Sequence, residues 1–157
     1  CLQVELGHIS LPSSVKEALN KRIGASSFIT VEDLFSGKGL SDLYKVITSG
    51  KIKSGEVISK AHLEKTDHEA TYTLELFSEM LGLMTRELIV QYLPFGGIYF
   101  AGSVSRAVFN AKVTSKFEKA FKEDSHYLKD LEKFQINLIT DDAAGLLGCG
   151  VLSEARV

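Results

Sequence analysis

The segment that most constrains the fold is a short apolar run bounded by glycines, Gly96-Gly-Ile-Tyr-Phe-Ala-Gly102. The residues from Ile98 to Ala101 are apolar and β-prone, which predicts a buried strand in a sheet covered on both faces. Gly102 then predicts a tight turn, and Ser103 or Ser105 can cap the helix that follows. A strand, a glycine turn and a helix start together favour a polar ligand such as a nucleotide, although most such turns in α/β proteins are only connections.

The length and composition fit a single globular domain. The chain has 157 residues, 45% of them apolar, and a formal net charge of -2 with both signs interspersed. This charge gives no electrostatic reason to expect nucleic acid or an anionic membrane surface as a partner. Without a long apolar stretch or a signal peptide, we expect a soluble, cytoplasmic protein. Cys1 and Cys149 lie at opposite ends without metal-ligand spacing, which fits a reducing compartment.

The first residues already follow a strand pattern. Apolar and polar residues alternate from Leu2 to Leu6, which predicts a strand that ends in a turn at Gly7-His8. A strand that begins at the first residue, with no methionine before it, leads us to expect that an upstream segment has been removed.

Capping-box spacings predict the starts of three helices. They begin at Ser14, Thr30 and Thr66. We expect the first helix to end at Gly24, the second to be short and closed by Gly37, and the third to run to about Tyr92. Two further helices are predicted around Leu40 to Ile47 and after Ser54.

The remaining pattern predicts helices that cover the sheet. Gly82 lies inside the longest predicted helix, so we expect another element to pack closely over it. An amphipathic helix is predicted through Phe117 and Phe121, and its covering layer continues through Leu128, Leu131 and Phe134. The run from Ile136 to Thr140 predicts a second central strand, followed by an acidic helix start at Asp141-Asp142 whose glycines allow tight packing on the sheet. Strands separated by helices predict an α/β fold with helices on both sides.

Several motifs of catalysis and metal binding are absent from the sequence. The chain contains no Gly-x-x-x-x-Gly-Lys-Ser/Thr loop, no Gly-x-Ser-x-Gly elbow, no His-Glu-x-x-His pair and no cysteine quartet. His62 and His68 have acidic neighbours, but they straddle a predicted helix boundary and are interpreted as surface residues. No metal site is predicted.

Three polar residues at the ends of predicted elements form the candidate binding set. Glu5 and His8 follow the first strand, and Glu32 lies at a helix start. A carboxylate accepts hydrogen bonds from neighbouring hydroxyls, and a histidine can donate or accept, so the trio suits a polyol. Each residue alone also fits an ordinary solvated or capping role.

Four motifs, in order, resemble those of bacterial-type glucokinases across nearly the whole chain. They are Glu5-Leu-Gly-His8, the segment from Val31 to Tyr44, Gly96 to Gly102, and Asp142-Ala-Ala-Gly-Leu-Leu-Gly148. The resemblance implies a three-layer actin-like (ribonuclease-H-like) ATPase domain, partial, with a mixed sheet covered by helices. Glucose and ATP with Mg2+ would bind in a cleft between two lobes, and a homodimer is expected.

The resemblance also implies roles for particular residues. Glu5 and His8 would hold sugar hydroxyls, with Glu32 on the other side of the ring. Gly102 and Ser103 would lie under the adenosine. Gly37 and Gly39 would shape the nucleotide side of the cleft.

The chain departs from the family pattern at three positions. Leu6 and Lys38 replace a glycine and a proline, and both changes are interpreted as tolerable. Ser103 replaces the second glycine of the adenosine turn, and its Cβ could alter the nucleotide fit.

The family's Asp-x-Gly-Gly-Thr phosphate motif, its catalytic Asn-Asp aspartate and its Gly-Thr-Gly loop do not occur in these 157 residues. The resemblance therefore implies the C-terminal portion of the large lobe, spanning residues 1–157, with no catalytic residue of its own and no activity alone. One alternative is a non-catalytic sugar-binding or dimerisation module. Another is a kinase of broader hexose or N-acetylhexosamine specificity, although the zinc-binding cysteine cluster common in one such branch is absent.

Overall fold

The computed structural model describes residues 5–24, 27–123 and 133–154. A short 3₁₀ helix at Leu6–His8 precedes the regular elements. These are α1 (Ser13–Ile23), α2 (Val31–Leu34), α3 (Gly37–Ile47), α4 (Gly55–Leu63), α5 (His68–Tyr92), β1 (Ile98–Phe100), α6 (Ser103–Asn110), α7 (Thr114–Lys122), β2 (Ile136–Leu138) and α8 (Ala144–Glu154).

Strands β1 and β2 form a two-stranded parallel sheet in the described part of the chain. Ile98 lies opposite Ile136, and Phe100 lies opposite Leu138. The expected α/β class is thereby confirmed as a helix-rich fold with a small parallel sheet. The three-layer arrangement and the mixed sheet stay predictions.

Helix α5 is the centre of the core. It contacts α1, α3, α4 and α7, and apolar side chains such as Leu74, Phe77 and Met80 are fully buried. Its buried polar residues are satisfied, since Ser78 Oγ donates to the Val113 carbonyl at 2.9 Å and Thr85 Oγ1 donates to the Leu81 carbonyl at 2.7 Å. Apolar residues occur around most of the circumference of α5, and neighbouring helices cover most of that surface, as is expected for a helix of this composition.

Helix α7 approaches α5 most closely at Gly82, as the sequence predicted. A Cβ added to Gly82 would lie 2.4 Å from the Phe117 carbonyl oxygen and 3.1 Å from the Ala120 Cβ. No real side chain fits at 2.4 Å from a backbone oxygen. Glycine is therefore required where the two helices cross.

The start of α5 is fixed by a partly buried ion pair. Asp67 is the N-cap, and its Oδ1 accepts from the Ala70 N–H at 3.0 Å. Its Oδ2 accepts from Lys53 Nζ at 2.6 Å and from the Tyr44 hydroxyl at 2.7 Å. These contacts join α3, the segment before α4 and α5. The charge of Lys53 and the two donors hold the pKa of the Asp67 carboxyl well below its usual range.

Two of the predicted capping boxes are wrong. Thr66 does not cap α5, because Asp67 takes that position and the Thr66 hydroxyl donates to the Ala61 carbonyl instead. At α1 the N-cap is Pro12, and the Ser14 hydroxyl donates 2.7 Å to Glu87 on α5. In both places a competing partner captures the hydroxyl that the local spacing assigned to the cap.

The predicted burial of the strand and of the last helix is also wrong. Tyr99, in the middle of β1, is 59% exposed. Helix α8 has no buried residue, and a Cβ added at Gly145 or Gly148 would meet nothing within 4 Å. With two strands in the described sheet, neither strand is enclosed on both sides, and no described residue packs against the α8 glycines. The exposed apolar side chains of α8 are Leu146, Leu147, Val151 and Leu152.

Parts of two predictions lie outside the described residues. Residues 1–4 of the predicted first strand are not described, and Leu6 begins the 3₁₀ helix, so the strand does not extend to that residue. Leu128 and Leu131 also lie outside the described ranges, whereas Phe134 is buried as expected. Among the described helices, none combines the length and apolar character needed to cross a membrane.

Replacing Gly82 by alanine is expected to lower the free energy of unfolding by about 2 kcal/mol or more. The new Cβ would push against the Phe117 carbonyl, which outweighs a helix-propensity gain of about 1 kcal/mol. Chemical denaturation followed by circular dichroism measures the change. The matched control is Gly148→Ala, where the surroundings are open, and it should stabilise the chain slightly. Equal effects of the two substitutions would contradict the close-packing argument.

Replacing Asp67 by asparagine is expected to cost about 1–2 kcal/mol at pH 7. Asparagine can still cap the helix but leaves Lys53 without its counter-charge, at a site where the side chains of Asp67 and Lys53 are 11% and 32% exposed. Asp42→Asn, at the exposed Lys38–Asp42 pair, is the matched control and should cost under about 0.5 kcal/mol.

The same pair predicts a pH dependence of stability. Because the folded-state pKa of Asp67 is depressed, its contribution is fully present above the unfolded pKa of about 3.9 and is lost as pH falls below it. The difference in unfolding free energy between the wild-type chain and Asp67→Asn should therefore shrink between about pH 5 and pH 2. A difference independent of pH in that window would show that Asp67 does not act through its charge.

Candidate functional site

Residues 5–11 are held against the start of α2 by backbone pairing. Ser10 and Thr30 form an antiparallel bridge, the Leu11 N–H donates to the Ile29 carbonyl at 2.9 Å, and the Val31 N–H donates to the Ile9 carbonyl at 3.0 Å. These bonds place the 3₁₀ helix containing His8 beside the helix that carries Glu32.

A complete capping box starts α2, as the sequence predicted. The Asp33 N–H donates to Thr30 Oγ1 at 3.2 Å, and Asp33 Oδ2 accepts from the N–H groups of Thr30 and Ile29 at 2.8 and 3.1 Å. The hydrogen bonds from Thr30 are the main reason why the pKa of the Asp33 carboxyl lies below its usual value. Glu32 lies in the first turn, where the helix N-terminus favours its charge, as expected.

The structure brings His8 and Glu32 together. His8 Nδ1 lies 3.8 Å from Glu32 Oε2, with the two side chains 75% and 64% exposed. Gly7 lies directly over Glu32, since a Cβ at this glycine would be 3.4 Å from the Glu32 Cβ. Glu5 is exposed and accepts the His8 N–H through its carbonyl at 3.3 Å. The convergence of all three side chains on one hexose stays a prediction.

The starts of three helices line a second region, a groove of about 520 Å³. Gly37 and Lys38 come from α3, Ser54 and Gly55 from the start of α4, and Ser103 from α6. Helix N-termini present backbone N–H groups and positive dipole ends, so three of them around one groove favour a polyanionic ligand. Gly37 and Ser103, both assigned to the nucleotide, therefore share one groove.

Two glycines assigned to the nucleotide have clear structural roles. Gly39 is buried and is not among the groove-lining residues; a Cβ there would lie 2.1 Å from the Leu34 carbonyl oxygen. Glycine at this position lets α3 approach the end of α2. Gly102 has φ 96° and ψ 165°, a conformation open essentially to glycine alone, and it sets the turn from β1 into α6.

The expected helix-boundary roles of Gly37, Ser103 and Ser105 are wrong. Gly37 is the first residue of α3 and does not close α2, because Ser36 caps α3 by accepting from the Gly39 N–H at 3.0 Å. Gly102 occupies the N-cap position of α6, and no side chain caps that helix. Ser103 is the first residue of α6 and lines the groove.

The carboxyl ends of β1 and β2 lie side by side, which is the edge of a parallel sheet where ligands usually bind. Gly102 follows β1, and Asp141 and Asp142 follow β2. Arg106 on α6 forms an ion pair with Asp142 and joins the two strand ends. A smaller pocket of about 250 Å³ is lined by Phe35, Phe77, Leu81 and residues 101–105, and it shares Ser103 and Val104 with the groove.

The sequence patterns did not reveal the contributions of Ser54, Gly55 and Arg106. Ser54 was identified as a helix start, but its distance along the chain from Gly37 and Gly102 gave no sign that the three starts converge. Lys38 belongs to the segment from Gly37 to Leu40 that the family resemblance assigns to the nucleotide side of the cleft, and it lines the groove. Its Nζ pairs with Asp42 Oδ2 at 2.5 Å on the solvent side of α3, which raises the pKa of the Lys38 ammonium.

The fold is similar to that of a glucokinase from an Antarctic psychrotroph, determined by crystallography. The TM-score is 0.76 at 24% sequence identity, and the match covers 95% of this chain and 49% of that one. The helix-rich fold with its small parallel sheet thus defines a glucokinase-like α/β protein.

The sequence identifies the family. The family model described as Glucokinase matches residues 1–156, so this chain belongs to the glucokinase family and the resemblance in its motifs is confirmed. Curated glucokinases from Psychromonas ingrahamii and Tolumonas auensis are 28% and 29% identical over 154 and 164 residues. These matches cover 93% and 98% of this chain but 48% and 50% of the relatives, so the chain spans about half the length of the curated relatives it matches.

Replacing Gly102 by alanine is expected to lower the free energy of unfolding by about 1–3 kcal/mol, because the backbone of an alanine is strained at φ 96°. A steric clash does not contribute, since no atom lies within 4 Å of the added Cβ. Gly96→Ala is the matched control, with equally open surroundings and no positive φ. Thermal unfolding compares the two variants. An unchanged melting temperature for Gly102→Ala would show that the turn relaxes without cost.

Proposed function

We propose that this chain is part of an ATP-dependent glucokinase that transfers the γ-phosphoryl group of ATP to the 6-hydroxyl of glucose. Membership of the glucokinase family supports the reaction class. The single observation that carries the proposal is the groove formed by three helix starts near the sheet edge, in the same chain as the His8–Glu32 pair. A phosphoryl-transfer enzyme needs a polyanion site and a hydroxyl site, and these two regions have the matching chemistry.

The sugar half of the site would consist of Glu5, His8 and Glu32. A carboxylate accepts hydrogen bonds from two adjacent ring hydroxyls, and the imidazole of His8 donates to or accepts from a third. The 3.8 Å separation of His8 Nδ1 and Glu32 Oε2 leaves their hydrogen-bonding capacity free for hydroxyls. The capping box at Thr30 and Asp33 holds the backbone of Glu32 in a fixed position.

The nucleotide half would be the groove at Gly37, Ser54 and Ser103. Backbone N–H groups at the helix starts suit the negative charge of the nucleotide, and the apolar Leu40, Val104 and Ala107 suit its base and ribose. Mg2+ would bind with the phosphates of ATP and supply charge neutralisation. Gly39 and Gly102 would act indirectly, through the positions of α3 and α6.

Phosphoryl transfer also needs a group that orients the sugar hydroxyl and groups that neutralise the transferred phosphate. The family motifs that resemble such groups are not in these 157 residues. We therefore propose that residues 1–157 act as the C-terminal portion of the large lobe and that catalysis uses residues outside them.

Turnover by the 157-residue chain in a coupled ATP assay with glucose is expected at background. Binding without turnover is the signature of a half-site, since catalysis depends on the groups named above. Full glucokinase activity from this chain alone would contradict the proposal that catalysis uses residues outside it. That result would not contradict the proposal that this chain binds glucose and ATP.

Replacing Glu32 by glutamine is expected to weaken glucose binding at least about fivefold, because a neutral amide accepts weaker hydrogen bonds from hydroxyls than a carboxylate does. Chemical-shift titration of the labelled chain with glucose, mannose and N-acetylglucosamine measures the affinity and ranks the sugars. Glu17→Gln, on an exposed position of α1, is the matched control and should bind as the wild type does. Unchanged affinity in Glu32→Gln would remove Glu32 from the sugar site.

The second candidate is a non-catalytic sugar-binding or dimerisation module, and the exposed apolar side chains of α8 favour it. Helix α5 offers less such surface, since most of its apolar residues are buried within the chain and its exposed ones are Tyr72, Val90 and Tyr92. Sedimentation of Leu146→Asp against the wild type tests the association. An in-frame Asp-x-Gly-Gly-Thr segment in the coding region upstream of Cys1 would favour the kinase, whereas a natural start codon close to Cys1 would favour the module.

A further inference from the structure

A pocket of about 610 Å³ lies between the end of α4, the start of α5 and the turn from α6 to α7. It is larger than the groove assigned to the nucleotide and shares no lining residue with it. Its lining contains the residues His62, Leu63, Lys65, Asp67, His68, Thr71, Ala111 and Lys112. The family motifs and the proposed kinase chemistry assign no role to this pocket.

Two lysines at its rim hold a backbone conformation that favours glycine. Lys65 follows α4 with φ 56°, and Lys112 follows α6 with φ 57°. Both occupy the position after a helix end where glycine is usual and asparagine is tolerated. Neither lysine side chain forms a hydrogen bond or ion pair with another residue in the part of the chain that the structure describes. Two ammonium groups that have no counter-charge among the described residues therefore line one pocket.

A histidine fixes the distance between the two sides of the pocket. His62 Nε2 lies 2.8 Å from the Ala111 carbonyl oxygen, so this nitrogen carries the proton and donates. His62 Nδ1 lies 3.0 Å from the Thr71 hydroxyl. The imidazole thus links the end of α4 to α5 and to the turn that carries Lys112, and it holds the two lysines on a common rim.

The single carboxylate of the lining does not cancel their charge. Asp67 Oδ2 is occupied by Lys53 and Tyr44, and its Oδ1 by the Ala70 N–H. Since Lys53 lies outside the lining and already neutralises Asp67, the pocket keeps the net positive charge of Lys65 and Lys112. Leu63 and Ala111 add apolar surface beside these charges.

We propose that this pocket binds a small phosphate-bearing molecule, separately from the sugar and nucleotide sites. Lys65 and Lys112 hold the dianionic phosphate as two point charges, and the Leu63 side of the pocket contacts the organic part. This site lies on α4, α5 and the α6–α7 turn, so its occupancy does not require the kinase reaction.

The test is a chemical-shift titration of the labelled 157-residue chain with inorganic phosphate and with phenyl phosphate, at constant ionic strength balanced with sodium chloride. Saturable shifts are expected at the amides of residues 62–71 and 111–112, with tighter binding of phenyl phosphate. Lys65→Asn and Lys112→Asn keep a residue that tolerates the left-handed conformation but remove the charge, and each should weaken binding at least fivefold. Lys51→Asn, which removes the same charge from an exposed loop, is the matched control and should bind as the wild type does.

Three results would overturn the proposal. The first is shifts that rise linearly without saturation or that chloride alone reproduces. The second is equal affinity in the wild type and in both pocket variants. The third is saturable shifts confined to Gly37, Ser54 and Ser103, which would assign the phosphate to the nucleotide groove and leave this pocket without a ligand. Failure of glucose binding in the separate sugar titration would bear on the kinase proposal and not on this one.

Discussion

The contact between α7 and α5 at Gly82 determines how the rest of the structure is arranged. With no side chain at Gly82, the Phe117 carbonyl lies against the α5 backbone, and the aromatic rings of Phe117, Phe109 and Phe100 pack together with centroid distances between 5.4 and 6.2 Å. Through these rings α7 positions both α6 and β1. Because the Gly102 turn lies between β1 and α6, the close helix contact in the core also sets the position of the candidate nucleotide groove.

Both candidate regions are built from helix starts, and their rigidity depends on the caps. Thr30 and Asp33 cap α2, Ser36 caps α3 and Ser54 caps α4 by hydrogen bonds to backbone N–H groups. At α6 the cap position is a glycine, and no side chain uses the N–H groups there. Of the three helix starts that line the groove, α6 is the one whose backbone donors no side chain caps, whereas those of α3 and α4 are partly occupied by Ser36 and Ser54.

The sequence allowed the long helix, the strands at Ile98 and Ile136 and the Thr30 capping box to be predicted, because each depends on residues close together in the chain. It did not allow a choice between competing partners for one hydroxyl, since Ser14 bonds to Glu87, 73 residues away. Local spacing also could not show that Gly37 begins a helix. Ser36 caps α3 through the Gly39 N–H, and this arrangement requires the backbone at Gly39 to lie close to the Leu34 carbonyl at the end of α2. The convergence of Gly37, Ser54 and Ser103 depends on contacts of α4 with α3 and with α6, which no local pattern encodes.

The exposure of the sugar residues limits the affinity that they can provide. His8 and Glu32 are 75% and 64% exposed, so a bound hexose would exchange hydrogen bonds with water for hydrogen bonds with these side chains. Each exchange contributes a net of about 0.5–1.5 kcal/mol, or up to about 3 kcal/mol where the partner is charged. Three such residues supply about 4 kcal/mol, which corresponds to a Kd of about 1 mM. Tighter binding, and exclusion of water from the transferred phosphate, require a surface that covers the sugar from the opposite side. The exposed His8–Glu32 pair is therefore better suited to one wall of a closing cleft than to a complete binding site.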